Sequence, residues 1–337
     1  MEFFGLDIGS RNIKIIQVRR NKDKHQLLAI GSATSTTKGL LSEGEADLLA
    51  LAEIIKKLHK DVGIKTKNVA TALPQDQVFT RIVTLPALSE EEIESALQWE
   101  AEQYVPLPLS EVILTHEVVG RIKENSKESI ELLLAAAPKS LVEKMMNVLK
   151  MAGLNPVSIE MEAMSMARSL VTSNSQQVLL VDFGARASDL AIVENGVVVF
   201  VYSVPTAGEA LTRALSLELG LDSSQSEAYK KSYGMNPESL EGKISAVLRP
   251  ILDSIVSEIK KAMRFYQEKG KNVQRIVLGG GGAALPEINT FLAKELDLEV
   301  QIGNPFSQII DGDFLEKIPP HERALYSVAV GLAMKEI

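Results

Sequence analysis

Apolar residues recur along this chain in two alternating rhythms. Phe3 to Leu6 and Ile13 to Val18 are short apolar runs around a glycine-bearing turn, and they predict a hairpin over residues 1–20. A third strand is expected over 26–34. The period then lengthens: Leu48, Leu49, Leu51, Ala52, Ile54, Ile55 and Leu58 recur at helical spacing. Ser42 is placed to start that helix, with Glu45 closing a capping box, and Gly63 to end it. Asn68 to Leu73 predicts a strand stopped by Pro74.

Residues 75–155 read as an inserted module. Val78 to Leu85 predicts a strand. Pro86 and Ser89, with Glu92 as a second capping-box partner, open a helix through Ile93, Leu97 and Trp99 to about Tyr104. Val112 to Val119 and Ser129 to Ala137 predict paired strands, and Ser140 to Ala152 a second helix ended by Gly153. The order β-α-β-β-α describes a compact α+β unit.

A short strand and a helix are expected over 156–175. A second hairpin follows over 178–202, with Asn195-Gly196 as a turn signal. Thr206 and Glu209 predict the next helix cap, and Ser223 to Phe265 is mostly helical and amphipathic. Ile276 to Leu278 is a buried-strand run, Pro286 and Glu287 open another helix, and Ala324 to Met334 predicts a closing apolar helix.

The two hairpins carry the same residues. Leu6-Asp7-Ile8-Gly9-Ser10-Arg11-Asn12-Ile13-Lys14 is matched 175 positions later by Val181-Asp182-Phe183-Gly184-Ala185-Arg186-Ala187-Ser188-Asp189. Asp7, Gly9 and Arg11 thus align with Asp182, Gly184 and Arg186. Glycine lets backbone approach a ligand closely, and the N–H groups of such a turn can point at an anion. An Asp at the strand end would repel phosphate directly, but it can hold a Mg²⁺ through water, and the metal bridges to the phosphates. Two such turns, one from each half of a duplicated chain, can grip a phosphate tail from both sides.

Other segments add to this picture. Gly279 to Gly282 follow a strand and precede a helix, which suits close approach to a nucleotide. They match neither a Walker A loop nor a dinucleotide fingerprint. Glu227 and Lys230 share one helix face. They read either as a solvated surface pair or as a clamp in which the carboxylate accepts from ribose hydroxyls and the lysine stem packs on the base. Glu160 and Glu162 read either as boundary carboxylates or as a group that orients water toward a γ-phosphate. Met145, Met146, Met151, Met161, Met164 and Met166 read as core rather than as a cofactor box.

Composition narrows the function classes. The 337 residues suffice for two domains. A net charge of −8 argues against nucleic acid as the main partner. The chain has no cysteine, which excludes disulfides, thiolate metal sites and a Cys nucleophile. The four histidines make no metal-ligand spacing. No apolar run approaches the roughly 18 residues needed to span a bilayer, and no signal-peptide pattern is visible. A cytoplasmic protein is expected.

In these residues the chain resembles the actin-like ATPase superfamily. The first phosphate motif matches at Asp7 to Lys14, the second at Asp182 to Asp189, the adenosine motif at Gly279 to Gly282 and the closing helix at Ser327 to Ala333. The implied fold is α/β, two duplicated RNase H-like halves around a nucleotide cleft, with an α+β insert of the FtsA type. The implied subdomains are 1A (1–74, 156–175 and 325–337), 1C (75–155), 2A (176–205 and 274–324) and 2B (206–273).

The run Leu85-Pro86-Ala87-Leu88-Ser89-Glu90-Glu91-Glu92-Ile93, continuing through Trp99 to Pro106, is similar to the PilM family of type IV pilus assembly. That likeness implies a cytoplasmic ATP-binding scaffold held at the inner membrane through partners, with self-association left open. It also implies that the N-terminal cytoplasmic peptide of PilN binds in the 1A/1C groove, tuned by nucleotide, with at most weak ATPase activity. An FtsA-like division or filament protein is the alternative. It is weakened because the chain stops at Lys335-Glu336-Ile337 without a membrane-targeting helix.

By the same likeness, Asp7 and Asp182 hold Mg²⁺. Gly9, Ser10, Arg11, Asn12, Lys14, Gly184, Ala185, Ser188, Gly208, Glu227, Lys230, Gly279, Gly280 and Gly281 contact ATP. Glu162, or else Glu160, takes the place of the water-orienting glutamine, and Ala187 leaves Ser188 as the hydroxyl donor of the second turn.

Overall fold

Strand β1 (Phe4–Ile8) is buried at every position. A strand can bury both faces only inside a sheet that is covered on both sides, and the order of elements supplies that cover. A computed structural model describes residues 1–21, 24–88, 90–124, 127–171, 177–310 and 314–337. In the first half, β1 leads into β2 (Asn12–Asn21), β3 (Lys24–Thr34), helix α1 (Glu45–Val62) and β4 (Asn68–Leu73). The insert carries β5 (Phe79–Pro86), α2 (Glu90–Tyr104), β6 (Val112–Glu124) and β7 (Lys127–Pro138). Helix α3 (Lys139–Met151), β8 (Asn155–Met161) and α4 (Glu162–Leu170) close the first half.

The second half repeats the plan with β9 (Val178–Phe183), β10 (Ser188–Glu194), β11 (Val197–Val204), α5 (Gly208–Leu219), α6 (Ser223–Tyr233), α7 (Lys243–Gln267), β12 (Arg275–Gly279), α8 (Ile288–Leu296) and β13 (Glu299–Ile302). The short β14 (Ile309–Ile310) and α9 (Ser327–Ala333) return to the first half. The sheet orders are β14-β3-β2-β1-β4-β8 and β11-β10-β9-β12-β13. Without β14 they are the same arrangement twice. The motif hairpin comes first, and its first strand, β1 or β9, runs parallel to the strand beyond it, β4 or β12.

Helices α4 and α9 cross between the two sheets. Their residues Ala163, Met166, Ala167, Val328 and Leu332 share one core with Ala70 of β4, Leu180 of β9 and Val277 of β12. The crossing is close because Gly331 faces the Ser165 carbonyl, where any β-carbon would collide. Glu160 pins it. Its carboxylate takes hydrogen bonds from Arg168 (2.7 and 3.0 Å), Ser165 (2.5 Å) and Lys335 (2.5 Å).

The insert forms its own sheet, β5-β7-β6. One face packs Val83, Leu85, Ile130, Leu132 and Leu134 against Ile93, Leu97 and Ala101 of α2. Helix α3 goes elsewhere: Leu141, Met145, Val148 and Leu149 join the core of the first sheet beside Leu51 and Ile55 of α1, while Met146 and Met151, expected in the core, lie on its other face and are exposed. The insert also touches the second half. Thr80 donates to the Val201 carbonyl at 3.3 Å, and Lys269 pairs with Glu131 at 3.3 Å.

Several helix starts differ from expectation. Helix α1 begins at Glu45 with Gly44 as its N-cap, and the Ser42 hydroxyl donates to Asp47 at 2.6 Å. The Ser42 oxygen accepts from the Gly44 N–H at 3.2 Å, one residue short of the helix, so it does not cap the N–H groups of the first turn. Helix α5 begins at Gly208 without a side-chain cap, so Thr206 and Glu209 do not form one. The described capping box is Asp222–Gln225, at the start of α6. Ser89 lies outside the described residues. The closing helix is shorter than expected, because Pro320–Tyr326 is a 3-10 segment.

Candidate functional site

The two motif turns open onto one cavity of about 470 Å³ between the halves. That is ample for a small-molecule ligand. Their geometry is the same for a shared reason. A β-carbon on Gly9 would sit 2.8 Å from the Asn12 carbonyl oxygen, and one on Gly184 would sit 2.8 Å from the Ala187 carbonyl oxygen. Asn12 and Ala187 are equivalent positions, so each glycine lets its turn fold onto itself. The Gly184 N–H is spent inside its turn, on the Asp182 and Ala187 carbonyls (both 3.1 Å). Gly184 therefore shapes the turn rather than donating to a ligand.

The turns diverge in charge. Asp7 stands directly across the strand pair from Lys14, and Asp182 from Asp189. Lys14 Nζ is 2.8 Å from Asp7 Oδ2, and both side chains are buried. Burial works against the lysine charge, but Asp7 outweighs it and Lys14 is held above its ordinary pKa. The second hairpin has no such cation. Burial and then the Asp7 charge push Asp182 up to about 6. Burial pushes Asp189 up to about 7, and its Oδ1 is buried without a hydrogen-bond partner.

Glu162, the first residue of α4, joins this group. Its carboxylate accepts from the Gln75 N–H at 3.0 Å. Burial, then the charges of Asp7, Asp189 and Asp182, raise it well above the ordinary range. The floor of the cavity thus holds more buried carboxylate than lysine. Among the described residues no three His, Asp or Glu side chains are arranged to hold a metal ion alone. The arrangement fits a hydrated divalent cation completed by water and a ligand's oxygens.

The opposite wall is a knot around α6. Lys230 Nζ donates to Glu227 (2.7 Å), Thr212 (2.9 Å) and the Gly208 carbonyl (2.9 Å). Thr212 donates to Glu227 at 2.7 Å, and Arg11 reaches Glu227 at 3.0 Å. Burial would raise Glu227, yet the hydrogen bonds from Lys230 and Thr212 and the charges of Lys230 and Arg11 hold it down to about 2. This pair is buried rather than solvated.

Gly280 adopts φ +73° and packs where a β-carbon would strike Asp182 and the Phe183 carbonyl, so the glycine loop lies on the end of β9. The cavity is lined by Asp7, Gly9, Ser10, Arg11, Asn12, Lys14, Glu162, Asp182, Gly184, Ala185, Gly208, Glu227, Lys230, Gly280 and Gly281. Two expected contacts are placed off its lining. Ser188 is buried and donates to the Thr206 carbonyl at 2.7 Å. Gly279 sits in β12 opposite Asp182, against Met166 and Ser327. Glu160 is also away from the cavity, in the α4–α9 knot, while Glu162 is on it.

Sequence reasoning missed Asp189, Thr212 and Asp76, the last of which also lines the cavity. Asp189 had a signal, since it occupies the position equivalent to Lys14 in the duplicated motif. Thr212, four residues after Gly208 and so on the same face of α5, meets α6 through Glu227.

Comparison with known proteins places this geometry. A family model described as type IV pilus assembly protein PilM matches residues 5–337. The chain belongs to the PilM family. A solved PilM–PilN type IV pilus biogenesis complex is similar at TM-score 0.85 and 26% identity, over 99% of this chain and 98% of that one. MreB5 of Spiroplasma citri, solved bound to ADP, shares the fold at TM-score 0.54 and 17% identity, over 98% and 94%. The cell division protein FtsA of Streptococcus pneumoniae is 21% identical over 330 residues, covering 84% of this chain and 71% of FtsA. The PilM fold here is thus the actin-like one, and FtsA is a distant relative. Among the described residues no helix is long and apolar enough to cross a membrane.

Proposed function

We propose that the cleft binds ATP with Mg²⁺, and that nucleotide state tunes a peptide-binding surface of a pilus-assembly scaffold. The observation that carries this is the pair of equivalent Asp–Gly–Arg turns facing one cavity, with the buried Glu227–Lys230 pair on its wall. Phosphates would lie between the turns, against backbone N–H groups around Ser10, Arg11 and Ala185, with Lys14 adding charge. Asp182 and Asp189 would hold the cation through water, with Asp7 beside them. A Mg²⁺ held there would supply charge neutralisation to the phosphates. Glu227, Lys230, Gly280 and Gly281 would surround the nucleoside.

Scaffold rather than enzyme is the reading the chemistry favours. The elevated pKa of Glu162 disfavours the ionised form that could accept a proton from water. Weak hydrolysis at most is expected.

The partner reading rests on the likeness to the PilM–PilN complex. A PilN-like inner-membrane protein would dock its N-terminal cytoplasmic peptide between the first half and the insert. The insert bonds to the second half at Thr80–Val201 and Lys269–Glu131. Any change in the angle between the halves would therefore strain or release it, which is the differential contact that nucleotide control needs. The test is fluorescence anisotropy of a labelled PilN-like N-terminal peptide without nucleotide, with ADP and with ATP. Saturable binding that changes with nucleotide is expected. Binding of equal strength in all three states would remove the switch, and no binding in any state would remove the peptide.

A further inference from the structure

The duplicated turns share one more residue whose part the nucleotide reading leaves unexplained. Arg11 and Arg186 occupy equivalent positions, and each leaves its own half. Arg11 Nη1 crosses to Glu227 on α6 of the second half at 3.0 Å. Arg186 crosses the other way. Its Nη2 donates to the Thr37 carbonyl and its Nη1 to the Lys38 carbonyl at 3.5 Å, both in the first half. Arg186 also stands 3.9 Å from Glu209 at the start of α5, which steadies its base.

We propose that Arg11 and Arg186 are reciprocal straps that hold the two halves closed over the cavity and set how fast its ligand exchanges. The exchange part rests on the nucleotide reading; the closure part does not. The geometry gives three reasons. First, the contacts cross the cavity mouth in opposite directions, so together they resist opening and also shear. Second, the acceptors differ in kind. Glu227 is a carboxylate already locked by Lys230 and Thr212, whereas Thr37 and Lys38 offer main-chain oxygens just before the 3-10 turn Gly39–Leu41, which also lines the cavity. A guanidinium suits both, because its planar fork can span two acceptors. Third, Glu227 is the carboxylate placed to meet a ribose. A ligand that takes it must displace Arg11, so entry loosens one strap while the other still holds. Glu227 stays ionised well below neutral pH, so the first strap does not depend on pH near neutrality.

The chain has no native cysteine, which makes paired labelling clean. Spin labels on Lys57→Cys (α1) and Ser224→Cys (α6), both exposed, report the separation of the halves by pulsed EPR in nucleotide-free protein. Carriers of Arg11→Ala, Arg186→Ala and both are compared with the parent. The substitutions keep every backbone N–H of the turns. The parent is expected to give a narrow distance distribution, each single variant an added longer population, and the double variant a mainly longer one. An unchanged distribution in the double variant would overturn the straps, and a double variant no different from one single variant would overturn their reciprocity.

Dissociation of a fluorescent ADP from the same proteins is the second measurement. It should quicken by about tenfold in Arg186→Ala, the strap that a bound ligand leaves in place, and stay near the parent rate in Arg11→Ala, whose contact with Glu227 the ligand has already displaced. Unchanged dissociation with altered distances would overturn exchange control and leave closure. Absence of ADP binding by the parent would count against the nucleotide reading alone, because the distances decide closure without it. Unfolding melts of the four proteins separate these outcomes from misfolding, and Arg11→Lys and Arg186→Lys, which keep the charge but lose the fork, should fall between parent and alanine forms.

Discussion

Lys14 and Asp189 occupy the same position of the duplicated motif, each directly across the strand pair from its motif aspartate. In the first hairpin the pairing is an ion pair, Lys14 to Asp7 at 2.8 Å. In the second it sets two carboxylates opposite each other. One turn carries its own cation, and the other has a carboxylate in that place.

Breaking the first pairing should be costly. Lys14→Met would leave Asp7 buried without its partner, a loss of about 3–5 kcal/mol in unfolding free energy. Chemical denaturation against the parent measures it. The double change Lys14→Met with Asp7→Leu should recover much of the loss, because no lone charge is then buried.

The second pairing should appear in the pH dependence of stability. Asp182 and Asp189 titrate in the unfolded chain near 3.8 and in the folded protein at about 6 and about 7. Between those limits the folded state binds more protons than the unfolded one. Their contribution to stability is therefore complete below 3.8, falls as pH rises to about 7 and is flat above. Asp189→Asn should flatten that decline in melts from pH 4 to 8. Added Mg²⁺ should raise the melting temperature more at pH 7.5 than at pH 5, since protonated carboxyls do not bind it.

Ser188 separates a structural role from a ligand role. Its hydroxyl is buried on the Thr206 carbonyl. Ser188→Ala should cost about 1 kcal/mol of stability and leave ATP affinity unchanged in calorimetry. A large loss of affinity at unchanged stability would place the hydroxyl on phosphate instead.

The α4–α9 crossing gives a further test. Gly331→Ala puts a methyl against the Ser165 carbonyl, so the helices must part. Overpacking of this kind costs about 1–3 kcal/mol, and a lowered melting temperature is expected.

Much of this was legible in the sequence because duplication repeats chemistry at a fixed offset. The matching of Asp7, Gly9 and Arg11 to Asp182, Gly184 and Arg186 anticipated two equivalent hairpins, and the sheets bear that plan twice. The buried strands were visible as apolar runs, and Asn195-Gly196 as a turn with both residues at positive φ. Helix starts were less legible. Ser42 and Thr206 have the residue type of a cap, but the Ser42 oxygen accepts from Gly44, ahead of the helix, and backbone geometry left Ala207 at the cap of α5. Partners far apart in sequence were invisible for the same reason. Nothing near Arg11 names Glu227, and nothing near Glu160 names Lys335. Glu160 and Glu162 part because β8 ends between them: Glu160 ends inside the helix crossing, while Glu162, already on α4, faces the cleft.

The most direct test is calorimetric titration of ATP, with and without Mg²⁺, into protein stripped of carried-over nucleotide, alongside Asp182→Asn. Saturable one-site binding that Mg²⁺ strengthens, with the Mg²⁺ gain lost in Asp182→Asn, is the predicted result. No heat and no displacement of a fluorescent ADP in either condition would contradict a nucleotide cleft between the two turns.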